Sequence, residues 1–100
     1  MRKSVVLTLS FALCGLAFVV QAETPSQLAA QAKISMSQAR KIALQAVPGK
    51  VVKQELEKEA GGSGLRYSFD IKAGKDTREV GVDAKTGKLL ENSLDNNDAD

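Results

Sequence analysis

Apolar and polar residues alternate along the second half of the chain, which is the period of a strand with one buried face. The alternation is clearest over 65–72 and recurs over 79–83. A first strand over 51–59 and a short last strand over 88–91 complete the predicted sheet. We expect the polar positions of these strands to face water.

Upstream of the strands the apolar residues recur at helical spacing. Ser35 and Gln38 are placed to form a capping box, and Pro48 with the glycine after it ends the predicted helix. Thr24 before Pro25 is a second helix start, so a short helix is possible in the lead segment 23–33. Isolated short helices are weak in water, and we expect this one to be marginal.

Short connections between the strands predict an antiparallel meander. Ala84–Gly87 has the composition of a turn, with Gly87 at a positive φ. The predicted fold is therefore α+β, with one main helix packed on a three- to four-stranded antiparallel meander sheet. Gln54 falls on the inner face and must find a partner or lie near an edge. The expected core is Ile34, Ile42, Ala43, Val47, Val52, Leu56, Leu65, Tyr67, Phe69, Ile71, Val80, Val82 and Leu89.

The glycines between the first two strands predict their register. If Gly61-Gly62 is a two-residue hairpin turn, paired residue numbers sum to 123 and Ala60 faces Ser63. This register sets opposite charges against each other on the outer side, whereas the nearest slip sets Glu55 against Asp70. The predicted pairs are Glu57 with Arg66 and Lys53 with Asp70 outside, and Leu56 with Tyr67 and Val52 with Ile71 inside.

Residues 1–22 have the three parts of a cleavable signal peptide. Arg2 and Lys3 precede an uncharged, apolar run over 5–20, and Ala22-Glu23 is the predicted cleavage point. A membrane anchor is the alternative, but a run of 16 residues is shorter than the ~20 that span a bilayer. We therefore expect a periplasmic protein with no membrane attachment after processing.

Lipid attachment at Cys14 is not expected, because it would need a small residue before the cysteine and Leu13 stands there.

The composition of the processed chain excludes one class of function. Removing 22 of 100 residues leaves 78, with 12 basic side chains against 12 acidic ones and no cysteine. The processed chain is neutral, without the basic footprint of a nucleic-acid-binding protein.

The residue types present argue against catalysis. Histidine is absent, which removes the usual general base and the Ser-His and Cys-His nucleophile pairs. A zinc site would need carboxylates alone, which is unusual, and no metal or cofactor is expected. Glu55, Glu57 and Glu59 share a strand face, which is typical of a solvated surface. The segment 92–100 is rich in Asp and Asn but lacks the glycine and glutamate of a calcium loop. We expect it to be a disordered acidic tail.

Several segments in this order resemble the PepSY family across 34–91. They are Ile34–Ala39, Ala43-Leu44, Val47–Val51, Leu65–Ile71 and Val80–Leu90, the last with Val-Asp-Ala-Lys-Thr-Gly-Lys. Gln54, where such domains usually have an apolar residue, and the glycine-rich stretch 61–64 depart from the family pattern. The resemblance implies a non-enzymatic envelope module that restrains or modulates a peptidase, as in the propeptides of thermolysin-like metallopeptidases.

The sequence leaves three hypotheses for the function. The first is a periplasmic module that binds a peptidase or another envelope protein through the bare sheet face or an edge strand. The second is a structural module that forms a homodimer, for which Val51 and Leu90 would supply an apolar spot on the outer face. The third, a small-ligand carrier, is disfavoured because one helix on a small sheet leaves little room for a pocket. The predicted contact residues for a protein or peptide partner are Lys53, Glu55, Arg66, Ser68 and Asp70.

Overall fold

The computed structural model describes residues 23–95, so the predicted signal peptide, its cleavage at Ala22 and the segment 96–100 lie outside the described residues. Two helices precede four strands in this part of the chain. The elements are α1 (Pro25–Gln31), α2 (Met36–Ala46), β1 (Lys50–Lys58), β2 (Leu65–Ala73), β3 (Asp76–Asp83) and β4 (Leu89–Leu94).

Both helices begin at the predicted residues because a side chain satisfies their first free amides. In α2 the Ser35 hydroxyl accepts from the Gln38 amide at 3.1 Å, and the Gln38 side chain accepts from the Ser35 amide at 2.8 Å. Thr24 and Gln27 form the same capping box at the start of α1. The helix α2 ends at Ala46, just before Pro48.

The four strands form one antiparallel sheet in the order β1-β2-β3-β4. The α+β class and the antiparallel meander are therefore confirmed, and the strand number is four. The structure has two helices, and α1 lies in the lead segment where a short helix was considered possible. α2 packs against β2 and β3, and α1 packs against β1.

The register between β1 and β2 follows the predicted sum over most of its length. Glu57 lies opposite Arg66 and Lys53 opposite Asp70, as expected. A bulge between Val51 and Lys53 then shifts the pairing by one residue. Val51, not Val52, pairs with Ile71, and Val52 is 54% exposed, so its prediction as a core residue is wrong.

The connection between β1 and β2 differs from the predicted two-residue turn. The Gly64 amide donates to the Gly61 carbonyl at 3.0 Å, which centres the turn on Gly62 and Ser63. Gly62 has φ +55°, a conformation that glycine adopts without strain. Paired numbers in the adjoining strands still sum to 123, because the Glu59 amide donates to the Gly64 carbonyl.

The core lies between the helices and the inner face of the sheet. Leu89, a predicted core residue, lies opposite the buried Val82 but is 40% exposed, since β4 is a terminal strand of the sheet. Ile34, Ile42 and Leu56 are only partly buried against the core. The buried apolar residues are Ala39, Ala43, Val47, Leu65, Tyr67, Phe69, Ile71, Val80, Val82 and Ala84.

The last strand corrects two further expectations. β4 extends to Leu94, so residues 92–94 belong to the sheet and not to a disordered tail. The expected outer spot of Val51 and Leu90 does not form, because Val51 packs against the core. The Leu90 side chain instead lies over Gly62 in the turn between β1 and β2.

Candidate functional site

The predicted contact residues come together on the sheet face opposite the helices, which we call the outer face. Cross-strand pairs share a face, and Lys53 pairs with Asp70 while Glu55 pairs with Ser68. The pairing continues into β3 and β4, because Ser68 lies opposite Gly81 and Gly81 opposite Glu91. We define the outer face by Lys53, Glu55, Glu57, Arg66, Ser68, Asp70, Glu79, Gly81 and Glu91.

Arg66 is not the exposed contact that the alternation predicted, since it is only 6% exposed. Its guanidinium lies 3.1 Å from Glu91 and 3.3 Å from Glu59, and it donates to the Ala60 carbonyl. The side chain crosses Gly81, where a Cβ would lie 3.0 Å from Nη1. Gly81 therefore makes room for an arginine that links the segment after β1 to β4.

Ser68, also predicted to be exposed, is 4% exposed beneath its neighbours on the outer face. In the part of the chain that the structure describes, its Oγ has no hydrogen-bond partner, and neither has Arg66 Nε. A buried polar group without a partner costs roughly 1–3 kcal/mol. Of the five predicted contacts, Lys53 is exposed and Glu55 and Asp70 are half-buried.

Gln54, the polar residue on the inner side of β1, both has a hydrogen-bond partner and lies at an edge of the sheet. Its side-chain oxygen accepts from Arg40 of α2, at 3.0 Å from Nε and 2.7 Å from Nη2. It is exposed because β1 is a terminal strand of the sheet. The arginine thus ties α2 to the edge of the sheet.

A groove of about 920 Å³ lies between α1, the start of α2 and β1. Apolar side chains dominate its lining, although Glu23, Lys33 and Glu55 also contribute to it. The expectation that the fold leaves little room for a pocket is wrong, because α1 adds a second wall. The apolar lining consists of Pro25, Leu28, Ala29, Ala32, Ile34, Met36 and Leu56, with Tyr67 beside them.

Tyr67 fixes the segment between the two helices. Its hydroxyl donates to the Ile34 carbonyl at 2.7 Å, and burial raises the pKa of the phenol. The Lys33 and Ile34 amides both donate to the Ala84 carbonyl, at 2.8 and 3.1 Å. One end of the groove is therefore held firmly to the sheet.

The α1 wall is attached more loosely. This helix has no buried residue. Glu23 at its start pairs with Lys58 of β1 and accepts from Gln31. The Lys58 side chain, helped by Gln31, holds the pKa of the Glu23 carboxyl below its usual value. Since Glu23 and Lys58 are both partly exposed, this ion pair contributes little stability.

Asp83 links the two turns at the end of the sheet nearest the groove. Its carboxylate accepts from the Ser63 hydroxyl and amide, both at 2.7 Å, and from the amides of Lys85 at 2.8 Å and Thr86 at 3.2 Å. Burial alone would raise the pKa of this carboxyl, but the hydrogen bonds from Ser63, Lys85 and Thr86 outweigh it and lower the pKa to about 2. The sequence predicted the turn that follows Asp83, but it did not predict that Asp83 binds Ser63 of the other turn.

The described residues contain neither a cluster that could bind a metal ion nor a helix that could span a membrane. Between residues 23 and 95 no group of three or more histidine, cysteine or carboxylate side chains is placed to hold a metal ion. No helix within the same range is long and apolar enough to cross a membrane. What the structure presents is a terminal strand with an adjoining groove, and a polar sheet face.

Comparison with known proteins agrees with this picture. Residues 33–92 match the family model for PepSY, described as the peptidase propeptide and YPEB domain. No curated protein and no solved structure matches the chain. PepSY domains are generally non-catalytic regulatory modules and are typically found in exported proteins. Since the match covers 60 of the 100 residues, the chain belongs to the PepSY family.

Proposed function

We propose that this protein is a non-enzymatic periplasmic module that binds an extended segment of a peptidase, or of another envelope protein, along β1 and the adjoining groove. The binding modulates or inhibits the partner. Family membership supports the class of partner, since PepSY domains occur in peptidase propeptides. No nucleic acid, cofactor or metal is required.

The observation that carries this proposal is the groove beside a terminal strand. A terminal strand has amides and carbonyls that an added strand can pair with, and neighbouring pockets then select side chains. Lys50 and the bulge at Val52 are features that discourage pairing at the start of β1. The regular stretch 53–58, which adjoins the groove through Glu55 and Leu56, is the part suited to a partner.

The test is titration of the purified protein into envelope metallopeptidases, with activity and complex formation both followed. We expect inhibition and a complex at micromolar concentration. Leu28→Asp places a charge in the groove and should weaken binding tenfold or more, because burying an unpaired carboxylate is unfavourable. Leu94→Asp is the matched control, since Leu94 is 49% exposed on β4, outside the groove lining.

Self-association is the second candidate function, favoured by the exposed Leu89 and Leu94 on β4, the other terminal strand. In that case sedimentation would show a dimer that Leu94→Asp dissociates and Leu28→Asp leaves intact. Absence of any complex with a peptidase, together with this dimer, would reject peptidase binding. Thermal unfolding of both variants shows whether each remains folded.

Export has its own test. We expect the protein recovered from the periplasm to begin at Glu23, because Val20-Gln21-Ala22 supplies the residues that a signal peptidase reads. Intact-mass spectrometry measures this directly. Retention of residues 1–22, or a lipid on Cys14, would contradict the proposal.

A further inference from the structure

The outer face carries an excess of negative charge. Its nine residues include five carboxylates, on Glu55, Glu57, Asp70, Glu79 and Glu91, against the two cations Lys53 and Arg66. Lys50 and Lys72 lie beyond it, paired with each other at the far end of β1 and β2. Asp83, which lies opposite Arg66, adds a sixth carboxylate on the same side of the sheet. With Lys50, Lys72 and Asp83 counted, this side of the sheet has a net charge of −2, whereas the processed chain is neutral overall.

A second observation is independent of the charge. Ser68 lies in the middle of this face, between Glu55 and Gly81, and its buried Oγ has no partner among residues 23–95. Within the same described range, Arg66 Nε, on the next outward-facing residue of the strand, also lacks an acceptor. Buried polar groups are nearly always paired, so two neighbouring exceptions suggest that a ligand completes them.

We infer that the outer face binds an extended, lysine- or arginine-rich polypeptide segment. Basic side chains meet the carboxylates of Glu57 and Glu79, while backbone groups of the segment pair with the hydroxyl of Ser68 and with Nε of Arg66. Neighbouring side chains shift to admit the segment. A second copy of this chain does not fit, because two faces that both have an excess of carboxylates repel each other.

This surface is separate from the proposed peptidase site. The groove is lined from the helical side of the sheet and shares only Glu55 with the outer face. Binding at the outer face is therefore independent of binding in the groove. A partner with a basic segment could occupy it whether or not the protein binds a peptidase.

The experiment follows amide chemical shifts of the purified protein during titration with a synthetic peptide of about eight residues, alternating lysine and threonine, which spans one strand of ordinary length. We expect shifts at Ser68, Glu79 and Gly81, and binding that weakens as salt rises. A peptide with glutamate in place of lysine should not bind. Leu28→Asp, which alters only the groove, should bind the lysine peptide like the wild type.

Matched variants separate a defined site from diffuse attraction. Glu57→Gln with Glu79→Gln removes two charges from the outer face and should weaken binding tenfold or more. Asp76→Asn with Glu23→Gln removes two charges from exposed positions that are not among the nine outer-face residues and should change binding less than twofold. Equal losses in the two double variants would overturn the inference, because they would mean that only net charge matters.

Ser68→Ala tests the hydroxyl itself. Removal of an unpaired buried hydroxyl should leave stability unchanged or higher, while affinity for the lysine peptide falls threefold or more. Unchanged affinity would show that the segment does not use Ser68, and would overturn the proposed binding geometry.

Discussion

Replacing Asp83 by alanine is expected to lower the free energy of unfolding by about 3 to 5 kcal/mol, a loss typical of a broken buried hydrogen-bond network. The carboxylate is 1% exposed and accepts from the Ser63 hydroxyl and from the amides of Ser63, Lys85 and Thr86. Alanine would leave these donors without their acceptor. Urea unfolding near neutral pH measures the change.

Asp76→Ala is the control for this substitution. Asp76 is an exposed carboxylate at the start of β3, and its loss should change the free energy of unfolding by less than about 0.5 kcal/mol. Similar values for the two variants would contradict the structural role assigned to Asp83.

The same carboxylate predicts a pH dependence. Its pKa is about 2 in the folded protein, against an ordinary value of 3.8. Its ionised form therefore stabilises the fold fully above pH 4, and this contribution, roughly 2 kcal/mol, is lost as the pH falls toward 2. Asp83→Asn lacks this group, so the stability difference between wild type and Asp83→Asn should shrink by that amount in acid. A constant difference would contradict the lowered pKa.

Phe69→Ala should have an effect of similar size, lowering the free energy of unfolding by about 3–5 kcal/mol. Phe69 is fully buried on β2, paired with Gln54 on one side and Val80 on the other. Its removal would leave a cavity in a core that has no cysteine after residue 22 to form a disulfide. Chemical unfolding measures the loss.

Val52→Ala is the comparison for the core substitution. Val52 is apolar and lies on the adjacent strand, but the bulge turns its side chain outward, where it is 54% exposed. The change should be within about 0.5 kcal/mol. A loss of several kcal/mol would instead support the original assignment of Val52 to the core.

The spacing of apolar residues and the helix-capping residues predicted much of this fold from the sequence. The alternation over 65–72 identified β2, and the capping box at Ser35 identified the start of α2. The glycines after β1, with opposite charges favouring the same register, predicted the pairing of Lys53 with Asp70. These signals are local or involve neighbouring strands, so they can be read without knowing the rest of the molecule.

The bulge at Val52 could not be predicted in the same way. Both Val51 and Val52 are apolar, and an inserted residue exchanges which of them faces inward without changing composition. Only the fit of Val51 against the completed core decides between them.

The outer face shows a second limit of alternation. Alternation correctly placed Arg66 and Ser68 opposite the helices, but it carries no information on how far neighbouring side chains cover them. A glycine at position 81 and acceptors at Glu59 and Glu91 allow Arg66 to lie flat on the sheet. These residues are distant in sequence, so the burial of Arg66 emerges only from tertiary structure.

The groove depended on an element whose sequence signal was weak. A helix of seven residues is marginal alone, so its position could not be inferred from propensity. Contacts with β1 and the Glu23–Lys58 pair place α1 where it forms a wall. The pocket therefore exists because of tertiary contacts that composition does not reveal.

The meander order has a consequence for how the chain reaches its native state. Each strand pairs with the one that follows it, and Ala73 and Asp76 bracket a connection of two residues between β2 and β3. Hairpins of this kind close small loops and form within about 1–10 μs in isolation. Because no pairing awaits a distant partner, sheet formation can proceed hairpin by hairpin, which favours rapid folding and brief exposure of unpaired strands.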